Sequence, residues 1–141
     1  MREALRVFLD ANILFSASLK THTSFDRFWL MRGLILLTSP YVADEARRNA
    51  VHGEQISKLE SLLEQMHAVS DVPAGHLPSG ILLPAKDAPV LAAAAHAGAD
   101  FLITGDRHHF SRWMNLPIQT HLGILVIQEP ARFLDEHLDR L

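Results

Sequence analysis

Apolar residues in this chain follow two rhythms. Four short runs lack any polar alternation: Val7-Phe8-Leu9, Leu34-Ile35-Leu36-Leu37-Thr38, Phe101-Leu102-Ile103-Thr104 and Ile124-Leu125-Val126-Ile127. Runs of that length with no polar face suit strands covered on both sides, as in a parallel sheet. Between them the spacing turns helical. Ser24 is placed to cap a helix from about Phe25 to Arg32, closed by Gly33, and Ser39-Pro40 opens another on which Val42, Glu45 and Asn49 share a face. Ser57 to Met66 shows an apolar stripe of Ile56, Leu59, Leu62, Leu63 and Met66, with Lys58, Glu60, Ser61, Glu64 and Gln65 facing out. Asp87, Pro89 and an alanine-rich body closed by Gly98 predict a further helix, and Pro130 to Leu138 predicts the last. Ser16 to Ser24 reads as a polar loop, Ala68 to Val72 as a short strand, and Pro73 to Ala85 as an irregular connection. Strands alternating with helices predict an α/β fold with a mainly parallel sheet.

Composition narrows this only a little. A chain of 141 residues, 48% apolar and 21% charged, is expected to form one domain over residues 1–141 with a real core. The net charge of -3 gives no global basic field for nucleic acid, but Arg27, Arg32, Arg47, Arg48, Lys58, Arg107 and Arg112 are available for a local basic rim. The absence of cysteine excludes disulfides, thiolate chemistry and cysteine-ligated zinc, and fits a cytoplasmic location. Arg2 and Arg6 precede an apolar run that Asp10 interrupts too early for a signal peptide, and no run reaches membrane-spanning length. There is no H-E-x-x-H, no G-x-S-x-G, no P-loop and no G-x-G-x-x-G. Most of the nine histidines therefore read as surface or supporting residues, with one of His108 and His109 a candidate contact to phosphate.

Four acidic residues stand out by position. Asp10 and Asp106 each end a buried run, Asp87 starts the helix leading into one of those runs, and Glu45 lies on the helix after another. Singly, each has an ordinary role: a turn or cap for the aspartates, a solvated glutamate near a helix start for Glu45. Asp44 competes with Glu45, but Glu45 shares the face of Val42 and Asn49. Together they place carboxylates at the carboxyl ends of strands, where open α/β sheets bind ligands. Crowded carboxylates repel unless a cation intervenes, and hard oxygen donors favour Mg²⁺ or Mn²⁺. Such an ion lowers the pKa of bound water and stabilises charge on phosphate, the chemistry of phosphodiester hydrolysis.

These residues resemble the PIN domain family of VapC-type toxin ribonucleases and related nucleases. The resemblance is carried, in order, by Val7-Phe8-Leu9-Asp10-Ala11-Asn12, Ser39-Pro40-Tyr41-Val42-Ala43-Asp44-Glu45 with Arg48-Asn49, Lys86-Asp87-Ala88-Pro89 through Ala99-Asp100, and Leu102-Ile103-Thr104-Gly105-Asp106. It implies a three-layer α/β/α domain with a short, mainly parallel central sheet. It implies that Asp10, Glu45, Asp87 and Asp106 bind Mg²⁺ or Mn²⁺ and activate water, with Asn12 and Thr104 as supporting polar positions. It further implies a metal-dependent endoribonuclease with an RNA substrate, acting as the toxin of a type II pair with an antitoxin protein, and a homodimer. Many members carry another acid just after the last aspartate, where this chain has Arg107-His108-His109. The competing expectations are a catalytically silent PIN-like module that binds RNA or a protein partner, and a phosphatase with Asp10 as nucleophile. The second usually has an aspartate where Asn12 stands.

Overall fold

A computed structural model describes residues 4–19, 24–73 and 76–141. Its strands are β1 (Leu5–Leu9), β2 (Leu34–Thr38), β3 (His67–Ala68), β4 (Phe101–Ile103), β5 (Pro117–Thr120) and β6 (Gly123–Gln128). Its helices are α1 (Ala11–Ala17), α2 (Arg27–Leu30), α3 (Pro40–Asn49), α4 (Gly53–Glu64), α5 (Ala88–His96), α6 (Arg107–Phe110) and α7 (Pro130–Glu136). The strands form one sheet in the order β3-β2-β1-β4-β6-β5, parallel except for the β5–β6 pair. This is the mainly parallel, helix-covered α/β fold that the alternation of runs predicts. Among the described residues no helix is long and apolar enough to cross a membrane.

The core explains the register. Val7, Phe8, Leu9, Leu37, Leu102, Ile103, Leu125 and Ile127 lose almost all contact with solvent, so both faces of the central strands are covered. Removing that much apolar surface from water is the main favourable term in folding. On one face Phe133 of α7 stacks on Phe28 of α2 and meets Phe101 of β4 edge to face, with centroids 5.7 and 5.0 Å away. Alanines keep α5 slim, and Val90 through Ala95 are all buried between β4 and α3. Gly98 adopts φ +71°, the left-handed geometry that ends this helix.

Strand order places the site. From β1 the chain builds outward to β2 and β3, then crosses back through α5 to lay β4 on the other side of β1. The direction reverses between β1 and β4, and the crevice beyond their carboxyl ends is where such sheets bind ligands. The β1 end is held to β4 by Asp10 N–H donating to Ile103 O at 3.0 Å, and the β4 end to β6 by Thr104 N–H donating to Gln128 O at 3.1 Å.

Several expectations need correction. Ser16 and Ala17, expected in the polar loop, are the last two residues of helix α1, whose buried side is supplied by Ala11, Ile13, Leu14 and Ala17. Residues 20–23 of that loop lie outside the described residues, as do Arg2 and residues 74–75 of the irregular connection. The helix expected over Phe25 to Arg32 is a 3₁₀ turn at Ser24–Asp26 followed by the short α2. The helix expected from Ser57 begins at Gly53 and ends at Glu64, before Met66. Ile56 is exposed, and Gln55 is buried with its amide donating to Ser18 Oγ at 3.1 Å. Only His67–Ala68 forms β3, upstream of most of the strand expected at Ala68 to Val72. The closing helix ends at Glu136, with a 3₁₀ turn at Leu138–Arg140 beyond it. Strand β5 was not anticipated, because it buries a single apolar side chain, Ile118, and opens on a proline.

Candidate metal centre

Each carboxylate reaches the β1–β4 rim by a different local device. Asp10 leaves β1 in an extended conformation and caps α1, its Oδ1 accepting from Ala11 N–H at 2.7 Å. Its Oδ2 accepts from Thr104 Oγ1 at 2.9 Å. Asp10 is only 5% exposed, and burial, opposed by these two bonds and reinforced by Glu45 and Asp87, lifts its pKa from 3.8 to about 6. Asp106 caps α6, with Oδ1 accepting from the N–H groups of His108 and His109 at 3.1 and 3.0 Å. Burial pushes its pKa up, but the backbone and side-chain bonds from His109 outweigh it and hold the carboxyl below its usual range.

Asp87 behaves differently. It precedes α5 as a cap should, yet its side chain makes no capping bond. The helix start is served by its backbone oxygen, which accepts from Val90 and Leu91 N–H. Capping therefore does not explain this aspartate. The residue is 7% exposed and its Oδ2 is buried with no hydrogen-bond partner. Burial first, and Asp106 after it, raise its pKa, while His109 and Lys86 lower it.

Thr104 and Asn12 tie the parts together. Thr104 Oγ1 donates to Asp10 and accepts from Asp106 N–H at 3.0 Å and from Asn12 Nδ2 at 3.3 Å. Asn12 Oδ1 in turn accepts from Gly105 N–H at 2.9 Å. One hydroxyl thus couples the two strand-end aspartates. The turn does not itself require Gly105: its φ is not positive, and a Cβ there would meet Asn12 Oδ1 at an ordinary 3.5 Å.

Glu45 stands at the margin. It lines a cleft of about 350 Å³ with Ala11, Asn12, Phe15 and Asn49, and its charge acts on both Asp10 and Tyr41. Asp44 points elsewhere, 3.3 Å from Arg47 on the exposed side of α3. Tyr41 joins the rim, its hydroxyl donating to Lys86 O at 2.8 Å, and burial with the charges of Glu45 and Asp87 raises its pKa. Much of the supposed basic rim is spent in ion pairs: Arg47 with Glu60, Lys58 with Asp26, Arg107 with Glu129. Arg112 lies over the Trp113 ring, and Arg48 is the cation whose charge reaches Tyr41.

The tightest potential ligand set among the described residues is Asp87, Asp106 and His109, whose ligand atoms all lie within 4.8 Å of one another. Asp10 adjoins this set through Thr104, and the charge of Glu45 acts on Asp10. The sequence offers one of His108 and His109 as a contact to phosphate but does not place His109 among the metal donors; its signal there is the i, i+3 spacing from the capping Asp106, which puts both on one side of α6. The rings of His108 and His109 lie edge to face, 4.9 Å apart. The donors fit a hard divalent cation: they are mostly carboxylate oxygens, and the buried Asp87 Oδ2 accepts no hydrogen bond among the described residues, with only the His109 imidazole, 3.0 Å away, beside it.

Solved structures share this fold. VapBC2 from Rickettsia felis, bound to a DNA fragment from their promoter, aligns with TM-score 0.64 at 18% identity, covering 89% of this chain and 98% of that one. Mycobacterium tuberculosis VapC20, a sarcin–ricin loop cleaving toxin, aligns with TM-score 0.52 at 15% identity over 71% of this chain and 91% of that one. PAE2754 from Pyrobaculum aerophilum aligns with TM-score 0.54 at 15% identity over 99% and 94%. No curated protein matches the sequence. The PIN domain family model matches residues 6–108, a stretch containing all four rim carboxylates and their supporting residues, and the chain belongs to the PIN domain family.

Proposed function

We propose that this chain is a divalent-metal-dependent endoribonuclease that hydrolyses RNA phosphodiester bonds. In this reading residues 1–141 form one PIN-like domain, and Asp10, Glu45, Asp87 and Asp106 hold Mg²⁺ or Mn²⁺. The observation that carries it is Asp87 Oδ2: a buried carboxylate oxygen that accepts no hydrogen bond among the described residues and has only the His109 imidazole nearby, beside Asp106 and next to an Asp10 whose pKa is lifted. Leaving a buried anion uncompensated is costly, and a bound cation removes that cost at all the carboxylates together. When bound, the ion supplies a water of lowered pKa and a positive charge for the phosphate oxygens. The protein's own part is positional. Thr104 and the Ala11 N–H fix Asp10, while the His108 and His109 N–H groups fix Asp106. Asn12 keeps the Thr104 hydroxyl and the Gly105 turn in register. Glu45 and Tyr41 edge the approach from α3.

We extend the reading to the toxin of a type II toxin–antitoxin pair, cytoplasmic, homodimeric and inhibited by an antitoxin protein. Support comes from family membership and from fold neighbours described as a VapBC2 assembly on promoter DNA and as a loop-cleaving toxin. Purified protein incubated with RNA and Mn²⁺ should cleave it, and EDTA or Asp10→Asn should abolish cleavage. Cleavage surviving both would remove this site as its source.

A further inference from the structure

His109 is the rim side chain that the carboxylate set leaves out, yet it lies against two of its members. Its Nδ1 lies 2.8 Å from Asp106 Oδ2 and 3.0 Å from Asp87 Oδ2. Because Asp106 Oδ1 is engaged by two backbone N–H groups, its other oxygen is held toward the imidazole. Neighbouring donors around an octahedral ion with bonds of about 2.1 Å are about 3 Å apart, the same spacing. The Asp87 side chain is 10% exposed and its Oδ2 has no hydrogen bond, because the nearby Nδ1 is aimed at Asp106 instead. A second negative oxygen thus faces the nitrogen without sharing its bond.

We propose that His109 Nδ1 is a direct ligand of the ion held by Asp87 and Asp106, and that this nitrogen biases the site toward Mn²⁺ over Mg²⁺. The inference rests on the metal-site reading above. Mg²⁺ keeps oxygen ligands and sheds water reluctantly, whereas imidazole suits transition ions. An acid in place of His109 would leave the donor set all oxygen; the imidazole trades a charge for a softer donor.

The test is electron spin-echo spectroscopy of Mn²⁺ bound to the full chain, with Mg²⁺ competition. Wild-type protein should show ¹⁴N modulation from a directly bound imidazole. His109→Ala should lose it and lower the Mn²⁺-to-Mg²⁺ affinity ratio roughly tenfold or more. His108→Ala should keep both. His109→Asp should bind Mn²⁺ without the modulation and take Mg²⁺ more tightly than wild type. If Asp106→Asn abolishes uptake while either His109 variant retains the modulation and the ratio, the ligand role is wrong and the metal site stands. If wild type takes up no Mn²⁺, or uptake ignores Asp106→Asn, both fall.

Discussion

The two ends of the β1–β4 pair carry the same kind of residue and use it oppositely. At the amino end Asp100 is a structural clamp: its Oδ2 accepts from Arg6 N–H at 2.8 Å while its own N–H donates to Arg6 O at 2.7 Å. The Arg6 guanidinium donates to Ala97 O at 2.9 and 3.2 Å, joining the end of α5 to β1. At the carboxyl end Asp10, Asp87 and Asp106 gather with no lysine or arginine bonded to them among the described residues, and Asp87 Oδ2 accepts no hydrogen bond there. A fold that satisfies an aspartate so fully at one end is able to do so at the other. The contrast points to carboxylates kept available for something the chain does not supply.

The largest expected effect breaks this comparison outright. Asp106→Asn should reduce Mn²⁺-dependent RNA cleavage roughly a hundredfold or more, because it removes a direct ligand. Asp100→Ala, measured in the same assay, should leave cleavage near wild type and lower unfolding free energy by about 1–3 kcal/mol through its lost charge-assisted hydrogen bond. Equal losses in both variants would show that the two rims do not differ in kind.

A second effect is on stability and runs against habit. Asp10 titrates at about 6 when folded against 3.8 ordinarily, so the folded state binds the extra proton between those values. Its contribution is fully present below about pH 4, is lost as pH rises through 6, and is on the order of 3 kcal/mol. The raised pKa of Asp87 works in the same direction, and the lowered pKa of Asp106 opposes both. In chelator, Asp10→Asn should therefore be more stable than wild type at pH 7.5, with the gain shrinking toward pH 4. Added Mn²⁺ should raise the wild-type Tm more at pH 7.5 than at pH 5 and leave Asp10→Asn unmoved. Thermal denaturation across pH reads all three.

Smaller effects test the connecting hydroxyl and the outer face of α3. Thr104→Val removes the group that donates to Asp10 and accepts from Asp106 N–H, and should weaken Mn²⁺ binding about tenfold by calorimetry. Asp44→Asn on the exposed side of α3 should change stability by no more than about 0.5 kcal/mol and leave cleavage intact. Glu45→Gln, the next residue but facing the cleft, should slow it. Interchanged outcomes would move the functional carboxylate to Asp44.

What was legible in the sequence follows physical pattern. Central strands buried on both faces announce themselves as unbroken apolar runs, so β1, β2, β4 and β6 were readable. The edge strand β5 gains its stability from pairing with β6, and one buried Ile118 leaves no pattern to read. Helix α1 follows directly on β1, and its two closing residues, Ser16 and Ala17, merge in the sequence with the polar stretch beyond them. In the site, positions at strand ends could be inferred because topology alone brings Asp10 and Asp106 together. That Asp87 does not cap, and that His109 turns inward, depends on side-chain geometry that spacing does not encode.

The most direct test of the account is anomalous diffraction from crystals of the wild-type chain soaked in Mn²⁺. The account predicts a strong peak at the β1–β4 rim among Asp10, Asp87 and Asp106, absent from Asp106→Asn crystals soaked the same way. A peak elsewhere on the surface, or an empty rim with ordered, hydrogen-bonded carboxylates, would contradict it.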